Sequence, residues 1–69
     1  MKKELTKTQE KIYSYILGFI DDNGYSPTYN EISERFNVTI QAIDAQIKNL
    51  VAKDKLRFNG KKFRKIDIA

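Results

Sequence analysis

The sequence lacks the residue types on which several kinds of functional site depend. Its 69 residues include no cysteine and no histidine, which excludes disulfides, thiolate metal sites and histidine acting as base or ligand. No apolar run approaches the roughly 20 residues of a membrane span, and the start, MKKEL, lacks the apolar core of a secretory signal. We therefore expect a soluble cytoplasmic protein without metal, cofactor, membrane partner or catalytic activity.

Positive charge is concentrated at one end of the chain. The net charge is +4, but the last fifteen residues carry a net +5, and the first 54 sum to −1. No linker or repeat interrupts the sequence, so we expect a single domain over residues 1–69, burying only about 60 % of the surface of its unfolded chain. Because the positive charge is clustered in one segment, it indicates binding to a polyanion rather than a general role in solubility.

Capping residues predict the bounds of the first helix and the start of the second. Thr6 with Gln9, and Thr28 with Glu31, have the spacing of a capping box, in which each side chain bonds the backbone N–H of the other residue. Gly24 ends the first helix, because glycine readily adopts left-handed angles beyond a helix terminus. The broad apolar face of this helix consists of Ile12, Tyr13, Ile16, Leu17, Phe19 and Ile20.

The second helix is expected to be short. Pro27 can pack on Ile32 as a hydrophobic staple, and Glu31 has the i,i+4 spacing to form an ion pair with Arg35. Asn37 tolerates left-handed backbone angles and so predicts a tight turn. We therefore expect two short helices joined by a tight turn.

The third helix, about residues 40–53, follows a Thr39 cap and is strongly two-sided. At about 100° per residue, the core-facing residues are Ile40, Ile43, Ile47, Leu50 and Val51. The outward residues are Gln41, Ala45, Lys48, Asn49 and Ala52, with Ala42 and Asp44 at the borders. Amide side chains can bond adenine, lysine can reach guanine or phosphate, and alanine can touch the thymine methyl. An amphipathic core helix with an ordinary polar face fits the same pattern, and this helix alone does not separate the two interpretations.

The remaining residues predict a β-hairpin. Residues 55–58 and 61–64 alternate basic and apolar side chains around Asn59-Gly60, a strong hairpin signal. With a loop of either two or four residues, one face would hold Leu56, Phe58 and Phe63. The other would hold Lys55, Arg57 and Arg64, joined by Lys62 if the loop has two residues.

Like charges stacked across strands destabilise a hairpin, so we favour a polyanion opposite this basic face over simple protection of an exposed edge by lysines. Beyond Lys65 the alternation fails, and either a bulge or the end of pairing must follow.

Taken in order, these residues resemble the N-terminal DNA-binding domain of the LexA repressor family. The G-x-x-P-T-x-x-E-I run from Gly24 to Ile32 is the centre of the resemblance, which covers nearly the whole chain. The other matching residues are Leu5, Thr6, Gln9, Ser33, Phe36, Thr39, Ala42, Ile47, Lys48, Leu50 and Lys53.

The resemblance implies a winged helix-turn-helix, an α+β and mostly α fold of three helices and a hairpin wing, that binds double-stranded DNA and regulates transcription. The helix from Ile40 would read the major groove and the hairpin would lie over the phosphate backbone. The expected base-reading residues are Thr39, Gln41, Ala42, Asp44, Ala45, Lys48 and Asn49. The expected phosphate contacts are Thr28, Lys53, Arg57, Lys61, Lys62 and Arg64. A bacterial or phage-encoded protein at the nucleoid is expected.

The chain departs from the family at several points. Asp44 and Ala45 replace the family's charged or amide residues, so the operator sequence is not implied, and Asp54 replaces the usual glycine and must accept left-handed angles. Family repressors continue into a self-cleaving, dimerising domain beyond the part that this sequence resembles. If residues 1–69 are the whole natural chain, we expect tight operator binding to need a homodimer on DNA, tandem sites or a protein partner. The alternative is a winged helix that binds another protein, as an antirepressor or inhibitor from a mobile element would.

Overall fold

The computed structural model describes residues 4–69. It contains three helices, α1 (Lys7–Asn23), α2 (Tyr29–Phe36) and α3 (Ile40–Ala52), followed by two strands, β1 (Leu56–Phe58) and β2 (Ile66–Ile68). The strands pair antiparallel. This is the predicted winged helix-turn-helix architecture, in which β1, β2 and the loop 59–65 between them form the wing. The first three residues of the MKKEL segment, which sequence reasoning excluded as a signal, lie outside the described residues.

The predicted caps of α1 and α2 are confirmed. Thr6 Oγ1 accepts from the Gln9 N–H at 3.1 Å, and the Thr6 N–H donates to Gln9 Oε1 at 3.1 Å. Thr28 Oγ1 accepts from the Glu31 N–H at 3.1 Å, and the Thr28 N–H donates to Glu31 Oε1 at 2.9 Å. Gly24 ends α1 with φ 81°. Each helix therefore begins and ends where its local sequence satisfies the free backbone groups.

The turn between α2 and α3 also forms as predicted. Asn37 adopts left-handed angles (φ 56°, ψ 47°), and Thr39 Oγ1 accepts from the Ala42 N–H at 3.1 Å to begin α3. Beyond α3, Asp54 accepts the left-handed φ of 63° that its position requires. One predicted contact of α2 is wrong: Glu31 forms its ion pair with Arg64 of the wing and not with Arg35, whose guanidinium lies 5.8 Å from the Tyr15 ring centroid.

The core lies where the three helices and both strands meet. Its buried hydrophobic residues are Ile12, Ile16, Ile32, Ile43, Ile47, Leu50, Leu56 and Ile66. Ile40, predicted to face this core, is 46 % exposed. Helical periodicity gives the direction of a side chain around the axis, but Ile40 is the first residue of α3. There the helix extends past the core, and Ile40 borders an open groove beside the wing.

The predicted register of the hairpin is wrong. Leu56 pairs with Ile68, Arg57 with Asp67 and Phe58 with Ile66, so the second strand begins five residues later than expected and the loop has seven residues. Ile66 is completely buried in this register, whereas the predicted alternation ended at Lys65 because its continuation would have directed Ile66 outward. Because register is set by which residues reach the core, this burial outweighs the local preference of Asn59-Gly60 for a two-residue turn.

The change of register removes the basic face inferred from the sequence. Phe63, expected beside Leu56, lies in the loop with 72 % of its surface exposed. Arg57 lies opposite a carboxylate, with Nη2 4.0 Å from Asp67 Oδ2, so like charges are not stacked on the strands. The argument for a polyanion from cross-strand repulsion is therefore wrong. The charge of the wing that remains available lies in its loop.

Candidate nucleic-acid interface

The outward face of α3 is the first component of the candidate interface. Ile43, Ile47 and Leu50 anchor the opposite face in the core with no exposed surface. The residues predicted to face outward, Gln41, Ala45, Lys48, Asn49 and Ala52, are all exposed, as are Thr39 and Ala42. The predicted orientation of α3 is confirmed. Its alanines leave room for close approach of a second surface, and its amides supply hydrogen-bond donors and acceptors.

The polar side chains of this face differ in whether they bond to other residues of the protein. Within residues 4–69, the Gln41 and Asn49 amides have no side-chain hydrogen bond to the protein. Lys48 Nζ lies 3.0 Å from Asp44 Oδ2, one helical turn earlier, and both side chains are well exposed. An exposed i,i+4 pair of this kind contributes only about 0.3 to 0.5 kcal/mol. Lys48 can therefore leave Asp44 at little cost.

The first turn of α3 lies beside the loop of the wing. A groove of about 260 Å³ separates them and is lined by Thr28, Tyr29, Asn30, Ile40, Lys62, Phe63, Arg64 and Lys65. Lys61 and Lys62 are exposed, and neither ammonium forms an ion pair with a carboxylate of residues 4–69. Two unpaired cations thus stand in the loop of the wing, and one of them, Lys62, lines the groove next to the first turn of α3.

Two other residues predicted to contact phosphate have their cationic groups engaged within the fold. Lys53 Nζ donates to Gln9 Oε1 at 2.6 Å and to the Glu4 carbonyl at 2.9 Å, which ties the end of α3 to the start of α1. Arg64 binds Glu31. This contact lowers the pKa of the Glu31 carboxyl and raises that of the guanidinium, chiefly through the hydrogen bonds between them.

Thr28 is partly engaged too. Its hydroxyl accepts from the Glu31 N–H at the start of α2, and the residue is half-buried. Arg57 remains exposed on β1, 4.0 Å from Asp67. Of the predicted phosphate contacts, the structure therefore leaves Lys61 and Lys62 the most accessible.

Sequence reasoning missed the groove beside the first turn of α3. Ile40 was assigned to the core, Phe63 to the apolar face of the hairpin, and the predicted alternation ended at Lys65, yet all three residues line this groove. Lys65 Nζ lies 4.5 Å from the Tyr29 ring centroid. The Tyr29 hydroxyl is buried without a hydrogen-bond partner, and its burial, helped by the negative charge of Asp44, raises its pKa to about 12. The run of basic residues in the sequence could have identified Lys65 as part of the interface. Nothing in the sequence indicated that Phe63 is exposed.

Comparison with known proteins gives the family. The family model described as the LexA DNA binding domain matches residues 2–65. The LexA repressor of Pseudothermotoga lettingae is 37 % identical over 68 residues, which cover 99 % of this chain and 34 % of the relative. That of Thermosipho melanesiensis is 32 % identical over 66 residues, or 96 % of this chain and 33 % of the relative.

The chain spans about a third of the length of these curated relatives. The matched family is a DNA-binding domain, which confirms the prediction that this chain is not an enzyme. In the described part, residues 4–69, no helix combines the length and apolar character needed to cross a membrane.

Proposed function

This chain belongs to the LexA DNA-binding domain family, and we propose that it is a sequence-specific reader of double-stranded DNA that represses transcription. In this proposal α3 enters the major groove, and the loop of the wing contacts the phosphate backbone. The matched relatives are LexA repressors, which motivates the repressor assignment. As part of the same proposal, the protein is bacterial or phage-encoded and acts in the bacterial cytoplasm, at the nucleoid.

The observation that carries the proposal is the two-sided burial of α3. Ile43, Ile47 and Leu50 are fixed in the core, its opposite face exposes small and amide residues, and the loop of the wing exposes two unpaired lysines. An α-helix fits the major groove, which is about 12 Å wide. Base-reading roles are proposed for Thr39, Gln41, Ala42, Asp44, Ala45, Lys48 and Asn49.

Phosphate contacts are proposed first for Lys61 and Lys62, and then for Thr28 and Arg57. Lys53 has bonds to Gln9 and the Glu4 carbonyl, and Arg64 has bonds to Glu31; each would have to give these up to reach DNA. A single module of this kind buries only about 600 to 1,000 Å² on DNA. Tight binding therefore requires a second copy on the operator, tandem sites or a protein partner.

Binding to another protein is the second candidate function. It is favoured by the pairing of Lys48 with Asp44, which reduces the positive charge on α3. The exposure of Ile40 and Phe63, at 46 % and 72 %, adds apolar surface beside it. A protein partner for this surface would show weak dependence on salt, whereas release of counterions from DNA makes the slope of log affinity against log salt about −0.9 per neutralised phosphate.

Selection from a randomised duplex library at low salt, followed by salt titration on the enriched sequence, tests the proposal. We expect one enriched motif and a steep negative slope. The double variant K61A/K62A should flatten that slope by about 1.8, since each lysine accounts for about one phosphate. The matched control is Arg35→Ala, which removes a cation that lies over the Tyr15 and Phe36 rings, on the α1–α2 side of the fold.

Arg35→Ala should leave the slope nearly unchanged. Absence of any enriched motif at low salt would reject DNA reading in favour of a protein target. Equal flattening by the control and the loop variant would reject the assignment of the phosphate contacts to the loop.

A further inference from the structure

Arg64 lies in the loop of the wing but directs its side chain into the fold. We infer that Arg64 is a positioning residue, which holds the loop 59–65 against α2 and the end of α1 so that Lys61 and Lys62 stand beside the first turn of α3. The inference rests on the proposed DNA-binding function and reassigns Arg64, which the sequence placed among the phosphate contacts.

The guanidinium of Arg64 makes contacts on several sides. Nη1 donates to Glu31 Oε1 at 3.0 Å and to the Ser26 carbonyl at 2.9 Å, and Nη2 donates to Glu31 Oε2 at 3.3 Å. Its central carbon lies 4.4 Å from the Tyr25 ring centroid and 5.8 Å from that of Phe19. Bidentate hydrogen bonding to a carboxylate fixes both the distance and the orientation of a guanidinium. One side chain thus joins the loop to the end of α1, the following link and the start of α2.

The loop has few other connections to the helices. Its remaining hydrogen bonds are internal or close the wing: the Asn59 N–H donates to the Lys65 carbonyl at 2.9 Å, Asn59 Nδ2 to the Arg64 carbonyl at 3.0 Å, and the Lys61 N–H to Asn59 Oδ1 at 2.9 Å. Within residues 4–69, the side-chain hydrogen bonds from the loop to the helical part all come from Arg64. Lys65 over the Tyr29 ring is a further contact.

The backbone of Arg64 supports the same role. Its φ is 49°, a left-handed angle that disfavours residues with a side chain. Such a conformation persists only where surrounding contacts determine it, and here the contacts are those of the guanidinium and of the carbonyl that Asn59 binds. The loop thus adopts an unfavourable angle at the residue whose side chain connects it to the helices.

Glu31 makes the inference testable, because its carboxylate has two separable tasks. Oε1 accepts from the Thr28 N–H in the capping box of α2, and the two oxygens together bind Arg64. Glutamine also serves in a capping box. Glu31→Gln therefore keeps the cap of α2 while it removes the charge that holds Arg64.

The two roles of Arg64 predict opposite signs for this variant. If Arg64 positions the loop, E31Q lowers the fraction of molecules with a correctly placed loop, and the apparent affinity falls in proportion. If Arg64 contacts phosphate, E31Q frees its guanidinium and removes a negative charge near the DNA, so binding becomes tighter. Simple electrostatics also favours tighter binding, since E31Q raises the net charge by one. A loss of affinity therefore identifies positioning.

The experiment measures duplex affinity and salt slope for the wild-type chain, E31Q, R64A, R64K, E31Q/R64A and the phosphate-contact control K62A. Circular dichroism establishes that each is folded at the assay temperature. We expect E31Q and R64A each to bind about two- to tenfold more weakly, and the double variant to match R64A, because both changes break one interaction. R64K, which retains one donor group, should lie between R64A and wild type.

Amide NMR spectra of the free proteins supply the second measurement. Shifts should change at residues 59–65 in E31Q and R64A, with the amides of α3 unaffected, whereas K62A should flatten the salt slope by about 0.9 without moving the rest of the loop. If R64A is unfolded, E31Q and R64K decide the outcome.

Tighter binding by E31Q, with a slope flattened by about 0.9 in R64A, would overturn the inference and restore Arg64 as a phosphate contact while DNA binding stands. Unchanged loop amides in both E31Q and R64A would also overturn it. Failure of the wild-type chain to bind duplex DNA would overturn the proposed function itself and, with it, the positioning role.

Discussion

Gln41 offers the sharpest test of base reading by α3, because the same helix carries a second glutamine in a different environment. Gln41 is exposed in the first turn, and within residues 4–69 its amide has no side-chain partner. Gln46 is half-buried, lines a groove between α3 and the other helices, and its Oε1 is buried without a hydrogen bond. The two residues have the same side chain and lie on the same helix, but Gln41 faces solvent and Gln46 faces the other helices.

Gln41→Ala should leave the fold intact, since no internal hydrogen bond is lost and alanine has the higher helix propensity by a few tenths of a kcal/mol. Its effect should fall on DNA binding. A bidentate contact to adenine contributes about 1 to 3 kcal/mol of discrimination, so affinity for the selected operator should fall about five- to 150-fold. The loss should be confined to one base-pair position in each copy of the site.

The assay compares Q41A and Q46A on the selected duplex and on duplexes substituted at every position. Gln46→Ala should change affinity by less than about twofold and should not lower stability, because the buried Oε1 it removes is unpaired. A uniform loss by Q41A at all base positions would refute base reading by this residue. An equal loss in Q46A would show that the effect comes from the helix as a whole and not from its outward face.

Two further predictions concern stability. Asn37→Ala should lower the free energy of unfolding by about 1 to 2 kcal/mol in denaturant titration, since φ at this turn is 56° and alanine is disfavoured there; Asn37→Gly is the control and should cause no comparable loss. Tyr29→Phe should raise the free energy of unfolding by about 1 kcal/mol, because it removes a buried hydroxyl without a partner. Because the pKa of Tyr29 is raised from 10.0 to about 12 in the folded chain, the unfolded chain ionises first as pH rises. Ionisation of Tyr29 therefore has no effect on stability below pH 10 and lowers stability between pH 10 and about 12, and Y29F should reduce this alkaline loss.

The helical part of the fold followed from the sequence because its determinants are local. Thr6, Thr28 and Thr39 each cap a helix through a backbone group three residues away, and Asn37 supplies the angles of the turn from its own side-chain type. Periodicity then gave the outward face of α3 correctly, since it depends only on the helical repeat. These interactions span no more than one or two turns of chain.

The hairpin wing was predicted correctly, but its register was wrong because the determinants of the register lie far apart in the sequence. The alternating pattern and Asn59-Gly60 favoured pairing of residues 55–58 with residues 61–64. The observed register depends instead on burial of Ile66 in a core built by the helices. Likewise, the i,i+4 rule paired Glu31 with Arg35, whereas the structure pairs it with Arg64, 33 residues away. A local sequence pattern identifies possible partners that are close in sequence. It carries no information on partners that are distant in sequence and become neighbours on folding.

This difference between local and long-range determinants divides the proposed interface into two parts. The base-reading face of α3 depends on caps and helical periodicity, so it should tolerate change elsewhere in the chain. The placement of Lys61 and Lys62 depends on Arg64 reaching Glu31 and Ser26, and therefore on residues in the helix-turn-helix itself. Because Glu31 both caps α2 and binds Arg64, the start of α2 and the position of the cationic loop are fixed by one carboxylate. In the proposed mode of binding, sequence preference and affinity for the DNA backbone thus reside in separate segments, and Glu31 joins the two.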